Sequence, residues 1–192
     1  MSARLAVIGG GAWGTALAQV AAAGGEEVLL WALEDDVVAA VNKIHENPVY
    51  LKGQKLSALI RATASLAELA EADAWLVVTP AQHMRAVLSR APHTGKALIL
   101  CSKGIEEGSG LLLHDVARQV CAASPVAVLS GPTFAHEVAA GMPTAVTLAC
   151  DDEALGERLR ARIARPTFRT YWTDDVAGAE IGGAVKNVLA IA

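Results

Sequence analysis

Short apolar runs alternate with longer stretches of helical periodicity along most of the chain. The apolar runs predict buried strands at 4–8, 27–31, 74–78, 97–100 and 126–129. The stretches around them predict helices at 13–23, 35–42, 65–72, 83–90, 110–121 and 134–140. Apolar strands that are separated by helices are typical of a parallel sheet covered on both sides.

The remaining segments complete this pattern. Strand-like runs at 144–149 and 167–172 flank a predicted helix at 152–164. The segment 47–57 begins with an Asn-Pro pair and has no clear period, so we predict a loop there. The closing segment, 178–192, again has the spacing of a helix.

The run AVIGGGAWGTALA places Gly9, Gly11 and Gly14 between the first strand and the first helix. Gly9 permits a tight turn, Gly11 lets the backbone approach a pyrophosphate, and Gly14 lets the helix pack close to the strand. The start of the helix then offers N–H groups and a partial positive charge to the anion. This strand–helix–strand unit predicts a Rossmann-type α/β domain, with a doubly wound, mostly parallel sheet and helices on both faces.

An acidic residue follows the second predicted strand, where a Rossmann domain binds the ribose of its cofactor. Glu34 lies about 20 residues after the last glycine, which is the expected spacing. A carboxylate there would repel the 2′-phosphate of NADP and so favours NAD, but Arg61 or another cation can offset that charge. NAD and NADP therefore both stay open. Glu34 can also be one of three acids, with Asp35 and Asp36, that favour the start of the next helix.

Two further runs place polar groups directly after predicted strands. Lys103 follows the strand at 97–100, and Gly131 and Thr133 follow the strand at 126–129. Ligands of open parallel sheets bind beyond the carboxyl ends of the strands, so these residues are candidates for contact with a cofactor or substrate. The alternatives are a lysine in a surface loop and a threonine that only caps the next helix.

The closing helix carries one lysine on a face of small residues. Lys186 shares its face with Ala179 and Gly183, whereas Ile181 and Val185 belong to a separate apolar stripe. A lysine that loses its water on such a face has a lowered pKa and can exchange a proton with a substrate oxygen. The alternative is an exposed lysine whose stem lies along the helix.

Composition narrows the classes of function. The 192 residues carry a net charge of −4, which disfavours a nucleic-acid partner. No apolar run approaches the roughly 18 residues of a membrane span. Three widely spaced cysteines favour reduced thiols in a cytoplasmic protein over a disulfide framework. The histidines are scattered and lack metal-ligand spacing, so no metal site is predicted.

Four segments together resemble the bacterial-type NAD(P)-dependent glycerol-3-phosphate dehydrogenases. They are GGGAWGTALA (9–18), SKGIE (102–106), SGPTFAHEVAAGMPTAV (130–146) and GAVKNVLAIA (183–192), in family order across nearly the whole chain. This family reduces dihydroxyacetone phosphate to sn-glycerol 3-phosphate, reversibly, with NADH or NADPH, in the supply of glycerophospholipids. The resemblance therefore implies an oxidoreductase with a small phosphorylated substrate.

The resemblance also implies individual roles. The cofactor site would contain Gly9, Gly11, Ala12, Trp13, Gly14, Tyr50, Lys103 and Ala135. The substrate site would contain Lys103, Gly131, Thr133 and Lys186. Tyr50 would lie near the adenosine half of the cofactor. Lys186 would protonate the carbonyl oxygen as hydride arrives, and would accept that proton in the reverse reaction.

Members of this family continue well beyond the KN motif into an all-helical domain. We therefore predict an NAD(P)-binding Rossmann domain at 1–173. Residues 174–192 would form the first helix leading into a C-terminal helical substrate domain that is absent from this chain. We expect the chain to be the cofactor-binding portion, with little turnover on its own. Any homodimer would depend on the rest of the protein.

Two alternatives to this interpretation are open. A β-hydroxyacid dehydrogenase also joins a Rossmann domain to a lysine on the linking helix, although it lacks the long GPTFAxE segment. A non-catalytic dinucleotide-binding module would need only the glycine loop and its surroundings. A preference for phosphorylated substrates distinguishes the first alternative, and a reading frame that continues past Ala192 would distinguish the second.

Overall fold

The computed structural model of the chain describes residues 5–92 and 95–189, with side chains described as far as residue 185. The strands of this part are β1 Leu5–Ile8, β2 Val28–Trp31, β3 Glu46–Asn47, β4 Leu51–Lys55, β5 Ile60–Thr63, β6 Ala74–Val77, β7 Ala97–Leu100, β8 Val126–Ser130, β9 Thr144–Ala149 and β10 Phe168–Thr173. The α-helices are α1 Ala12–Ala22, α2 Asp35–Ile44, α3 Ala81–Arg90, α4 Leu113–Val120, α5 Ala135–Ala139, α6 Glu153–Ile163 and α7 Val176–Leu189. A 3-10 helix spans Leu66–Glu71.

Eight of these strands form one sheet in the order β10-β9-β8-β7-β6-β1-β2-β5. Neighbouring strands are parallel except β8 and β9, which are antiparallel. From β1 the chain builds outward to β2 and β5 on one side, then crosses back to β6 on the other. The switch point of the sheet therefore lies between β1 and β6. The predicted Rossmann-type, mostly parallel sheet is confirmed, and the reversal at β9 is a feature that the sequence pattern did not predict.

The sheet is buried on both faces. Side chains alternate along a strand, so in β1 Leu5 and Val7 face one core while Ala6 and Ile8 face the other. The first core is closed by α1, α2, α5 and α6, and the second by α3, α4, α7 and the 3-10 helix. Within the described residues, no helix is both long enough and apolar enough to cross a bilayer.

The prediction of an uninterrupted loop at 47–57 is wrong. β3 and β4 form an antiparallel hairpin there, and Lys55 Nζ donates to the Ile44 carbonyl at 2.7 Å. The hairpin escapes the sequence pattern because Leu51 alone is buried in β4. β5 also escaped prediction, because it is an edge strand interrupted by the exposed Arg61.

Two predicted helices differ from those observed. The helix predicted at 110–121 begins only at Leu113, because Gly110 has a φ of +67° and Leu112 bridges to Ile105 before the helix starts. The segment predicted as a helix at 65–72 is a 3-10 helix, whose single buried side chain is Leu69.

The loop between β7 and α4 is anchored on α3 by one ion pair. Arg85 donates through Nε and Nη2 to the two carboxylate oxygens of Glu106, at 2.9 and 2.8 Å. Ser109 Oγ donates to the same carboxylate at 2.6 Å. These donors, Arg85 first, lower the pKa of Glu106 to about 2. The same loop contains Lys103, so its anchoring restricts where that lysine leaves the sheet.

Helix α7 packs on the sheet through its smallest residues. A Cβ added to Gly183 would lie 2.7 Å from Ser130 Oγ, so the helix backbone lies directly against the end of β8. The predicted apolar stripe faces away from this contact, since Ile181 is 47% exposed and Val185 is 40% exposed. The small residues of this face therefore allow the close packing that the sequence pattern indicates, and the sheet itself is the partner.

A buried polar contact joins α7 to α4. Glu180 Oε2 lies 2.6 Å from His114 Nδ1, and Glu180 Oε1 accepts from the backbone N–H of His114 at 3.1 Å. Burial raises the pKa of Glu180, and its contacts with His114 oppose that shift. The contact fixes the rotation of α7 about its axis, and its position along that axis, in the part of the helix that precedes Lys186.

Substitution of Gly14 by alanine should destabilise the fold. The new Cβ would lie 1.8 Å from the Gly9 carbonyl oxygen, which is backbone and cannot rotate away. Overpacking of this kind costs about 1–3 kcal/mol, and we expect a loss of free energy of unfolding at the upper end of that range in urea titrations. The control is Gly182→Ala, because a Cβ there meets no atom within 4 Å. That variant should gain roughly 0.5–1 kcal/mol from helix propensity. Equal stability of the Gly14→Ala variant and the wild type would contradict the proposed contact.

Glu106 should make the chain sensitive to acid. Its folded pKa of about 2 lies below its ordinary value of 4.5, so its stabilising effect is complete above pH 4.5 and is lost as the pH falls toward 2. We expect the urea midpoint to fall over this window, and to fall less steeply in Glu106→Gln. The neighbouring Glu107 is exposed, and Glu107→Gln should retain the steep acid dependence of the wild type. Identical pH profiles for the two variants would show that the Arg85–Glu106 pair does not stabilise the loop.

Candidate functional site

A cavity of about 840 Å³ opens at the carboxyl ends of β1, β2, β6 and β7. Its walls are the loops that leave these strands, the start of α1 and one side of α3. The cavity straddles the switch point between β1 and β6, where open α/β sheets bind their ligands. Its volume lies within the roughly 300–1,000 Å³ that is usual for small-molecule sites.

The glycine loop forms the floor of the cavity. Gly9 has a φ of +128°, and a Cβ there would lie 2.8 Å from the Val78 carbonyl oxygen of the neighbouring strand. Gly11 is the N-cap of α1, and a Cβ there would meet no protein atom within 4 Å. The first turn of α1 has no acidic residue and no side-chain cap. Its N–H groups and its dipole are thus available to an anion in the cavity.

A hydrogen-bonded pair marks the end of the cavity beside β2. Tyr50 Oη donates to Glu34 Oε1 at 2.6 Å, and this bond and the nearby charge raise the pKa of Tyr50. Glu34 is the N-cap of α2 and lines the cavity. Arg61, the cation that could offset Glu34, instead pairs with two glutamates, Glu68 and Glu71. A carboxylate at this position is suited to accept hydrogen bonds from a ribose.

The opposite end of the cavity lies beside β7 and β8. Lys103 Nζ donates to the Gly131 carbonyl at 3.1 Å, which joins the loops that leave these two strands. Thr133 and Ala135 line the same end. Thr133 does not cap α5, because the N-cap is Phe134 and no side-chain cap bond is made there. Its predicted alternative role as a ligand contact stays a prediction.

The structure brings most of the predicted site residues to one place. Those that line the main cavity are Gly9, Gly11, Ala12, Trp13, Gly14, Glu34, Tyr50, Lys103, Thr133 and Ala135. Gly131 lines a second cavity of about 300 Å³, between β8 and α7. Lys186 lies on α7, and its side chain is outside the described residues.

Two buried polar atoms of the main cavity lack a partner among the described residues. They are Trp13 Nε1 and Thr79 Oγ1. Thr79 is only 3% exposed. Buried polar groups are nearly always hydrogen-bonded, so a ligand that fills the cavity is the natural partner for both.

Thr79 was missed by the sequence analysis, although the signal that finds it was present. It follows the apolar run at 74–78 directly, and the strand-end argument applied to Lys103 applies to it equally. The sequence carried no such signal for the cavity wall formed by α3. Its residues His83, Val87 and Arg90 reach the cavity only through the packing of that helix.

Comparison with known proteins places these features in one family. Residues 4–156 match the family described as the N-terminus of NAD-dependent glycerol-3-phosphate dehydrogenase. A glycerol-3-phosphate dehydrogenase [NAD(P)+] of Erythrobacter litoralis is 60% identical over 192 residues, which are 100% of this chain and 58% of that protein. The corresponding protein of Caulobacter vibrioides is 57% identical, over 98% of this chain and 58% of its own length.

A solved structure agrees with the sequence comparisons. The crystal structure of glycerol-3-phosphate dehydrogenase from Coxiella burnetii superposes with a TM-score of 0.92 and 36% identity, over 99% of this chain and 59% of that one. The chain thus spans somewhat over half the length of the curated relatives it matches. With the match over residues 4–156, these similarities show that the chain belongs to the NAD-dependent glycerol-3-phosphate dehydrogenase family.

Proposed function

We propose that this chain binds NAD(H) and forms the cofactor half of an enzyme that interconverts dihydroxyacetone phosphate and sn-glycerol 3-phosphate. The observation that carries the proposal is the start of α1, where an uncapped helix terminus behind Gly11 opens into the main cavity. Backbone N–H groups and the helix dipole there suit the pyrophosphate of a dinucleotide. The family relationship supports the same cofactor and supplies the substrate.

The shape of the cavity supports one direction for the dinucleotide. Glu34 and Tyr50 lie at one end, and the carboxylate is suited to the adenosine ribose. Leu33 and Val87 line the same cavity and offer apolar surface to the adenine. The nicotinamide would then extend toward Lys103, which lies beyond the end of β7. Between these two ends, the buried polar atoms of Trp13 and Thr79 would form hydrogen bonds with the dinucleotide.

We assign the proton transfer to Lys186, as the family resemblance implies. NADH bound in the main cavity would supply a hydride to the carbonyl carbon of dihydroxyacetone phosphate. Lys186 would give a proton to the carbonyl oxygen, and the products would be sn-glycerol 3-phosphate and NAD⁺. Lys103 would attract the phosphorylated substrate to the same end of the cavity, with Gly131 and Thr133 as neighbours.

The net charge and the cysteines of the chain support a small-molecule partner and a cytoplasmic location. The net charge of −4 argues for a small-molecule partner rather than a nucleic acid. The three cysteines are buried thiols, and this pattern is typical of the reducing cytoplasm.

Activity should depend on the phosphate group of the substrate and on Lys186. In protein expressed from the complete reading frame, dihydroxyacetone phosphate should oxidise NADH, measured at its absorbance band, and unphosphorylated hydroxyacids should fail to exchange hydride. Lys186→Ala should lower kcat by about 10²–10⁴ because a general acid is lost, with the Kd for NADH nearly unchanged. The exposed Lys43, in the last turn of α2, offers the control Lys43→Ala, which should retain wild-type kcat.

The outcomes of this substrate assay distinguish the proposed function from its two alternatives. Turnover of hydroxyacids would favour the β-hydroxyacid dehydrogenase interpretation. Binding of NADH without turnover of either substrate would favour a dinucleotide-binding module.

Glu34 should make the site prefer NADH. A 2′-phosphate placed beside this carboxylate meets like charge, so we expect NADPH to bind at least about tenfold more weakly than NADH. Glu34→Gln should narrow this gap in fluorescence titrations of the chain. Asp36→Asn removes a neighbouring charge, but the Asp36 side chain accepts from the backbone N–H of Val37 and does not line the cavity, so the preference should persist. A preference for NADPH that is lost in Arg90→Ala would instead assign the 2′-phosphate to Arg90.

A further inference from the structure

Asn47 is a fully buried polar side chain next to the glycine loop. It lies at the end of β3, in the hairpin that falls outside the alternating strand–helix pattern. Its Nδ2 donates to the Gly10 carbonyl and to Thr15 Oγ1, both at 2.8 Å. Its Oδ1 accepts from the backbone N–H of Tyr50 at 3.1 Å. One amide therefore contacts the glycine loop, helix α1 and the segment that carries Tyr50.

These contacts use both N–H groups of the amide. A carboxamide has two donors and one acceptor oxygen, so both donors of Asn47 are engaged and the oxygen has a partner. The Gly10 carbonyl also accepts from Thr15 Oγ1 at 3.3 Å, and thus receives two hydrogen bonds from the protein interior. Loss of the amide would leave that carbonyl poorly satisfied in a buried position, which is costly.

The fixed carbonyl determines where the next N–H group points. In a trans peptide the C=O of one residue and the N–H of the next point in opposite directions. No cis peptide is present in the described chain, so the bond between Gly10 and Gly11 is trans. Because Asn47 and Thr15 hold the Gly10 carbonyl inward, the Gly11 N–H must face the opposite side. Gly11 lines the cavity, and a Cβ there would meet open space.

The other end of the same amide acts on the ribose side of the cavity. Asn47 Oδ1 holds the backbone of Tyr50, and the hydroxyl of Tyr50 donates to Glu34 at 2.6 Å. The orientation of the Glu34 carboxylate therefore depends, through Tyr50, on the same buried side chain. A single residue outside the cavity wall thus connects the anion-binding end with the acidic end.

We propose that Asn47 is a positioning residue for the dinucleotide. It orients the Gly11 N–H toward the pyrophosphate and holds Tyr50 and Glu34 at the adenosine ribose, without touching the cofactor. This proposal rests on the proposed function, since it requires that the cavity bind NAD(H). Asn47 lies in a segment that the sequence pattern assigns to a loop, so only the folded structure reveals its role.

The test is the isosteric substitution Asn47→Asp in the 192-residue chain. It keeps an oxygen for Tyr50 but places a second oxygen, in place of a donor, against the Gly10 carbonyl and Thr15. We expect the Kd for NADH to rise about tenfold or more, because both hydrogen bonds donated by the Asn47 amide are lost and the Gly10 carbonyl must turn away from the new carboxylate oxygen. Binding is measured through quenching of tryptophan fluorescence, since Trp13 and Trp31 line the cavity. Titrations are made well below the melting temperature, where circular dichroism shows the variant folded.

The matched control is Asn42→Asp. Asn42 also bridges backbone groups, donating to the Ala62 carbonyl at 2.9 Å and accepting from the Ala62 N–H at 2.8 Å. It joins α2 to β5 and does not line the cavity. This variant should lose thermal stability but keep the wild-type Kd for NADH. A residue that only stabilises the fold would behave in the same way, so the two variants separate positioning from general stability.

A second variant covers the case in which Asn47→Asp does not fold. Thr15→Val has a similar volume and removes one donor to the Gly10 carbonyl, so its Kd for NADH should rise by a few fold. In nitrogen-labelled wild-type chain, the Gly11 amide resonance should shift on addition of NAD⁺, and the shift should shrink in either variant. Wild-type NADH affinity in folded Asn47→Asp, or in Thr15→Val when Asn47→Asp is unfolded, would overturn the proposal. Failure of the wild-type chain to bind NADH would overturn the proposed function and this inference together.

Discussion

The close approach of backbone to backbone at the β1–α1 junction is the constraint on which the rest of the structure depends. Gly9 lies against the Val78 carbonyl, and Gly14 lies against the Gly9 carbonyl, at distances that leave no space for a side chain. These contacts bring the first turn of α1 directly over the switch point of the sheet. Gly11, between them, has the opposite surroundings, because its Cβ position is empty. The same short stretch therefore combines tightly packed glycines with one site of open space at Gly11, and the open site faces the cavity.

Much of this could be predicted from sequence because it depends on local rules. Glycine spacing after an apolar run predicts the junction, and residues that follow strands in a parallel sheet converge at one edge, which places Lys103 and Glu34 on one cavity. The hairpin and β5 could not be predicted in this way. β4 buries little of its length, and β5 is a sheet edge with Arg61 at its centre, so neither shows the periodicity that buried surfaces impose.

The buried polar contacts of Asn47 and Glu180 escaped prediction for a different reason. A buried asparagine is indistinguishable in sequence from a turn asparagine, and the Asn-Pro pair at 47–48 is typical of a turn. Only long-range packing shows that this side chain lies 2.8 Å from a glycine carbonyl 37 positions earlier. The Glu180–His114 contact is of the same kind, since its two residues are 66 positions apart. Such contacts decide orientation rather than fold class, which is why the fold can be predicted without them.

The reversal of β9 explains how the closing helix reaches the site. β9 and β10 run opposite to β8, and Thr173 at the end of β10 is level, through Ala149, with Val128 in the middle of β8. Helix α7 therefore starts short of the carboxyl end of β8 and runs along that strand toward the cavity. From Val176 to Gly183 it rises about 10 Å, at 1.5 Å per residue. Gly183 accordingly meets Ser130 at the end of that strand, and a Cβ there would lie 3.9 Å from Lys103 Cγ.

Position 186 lies almost one helical turn further in the same direction. Had β9 and β10 been parallel to β8, α7 would have started at the cavity and led away from it.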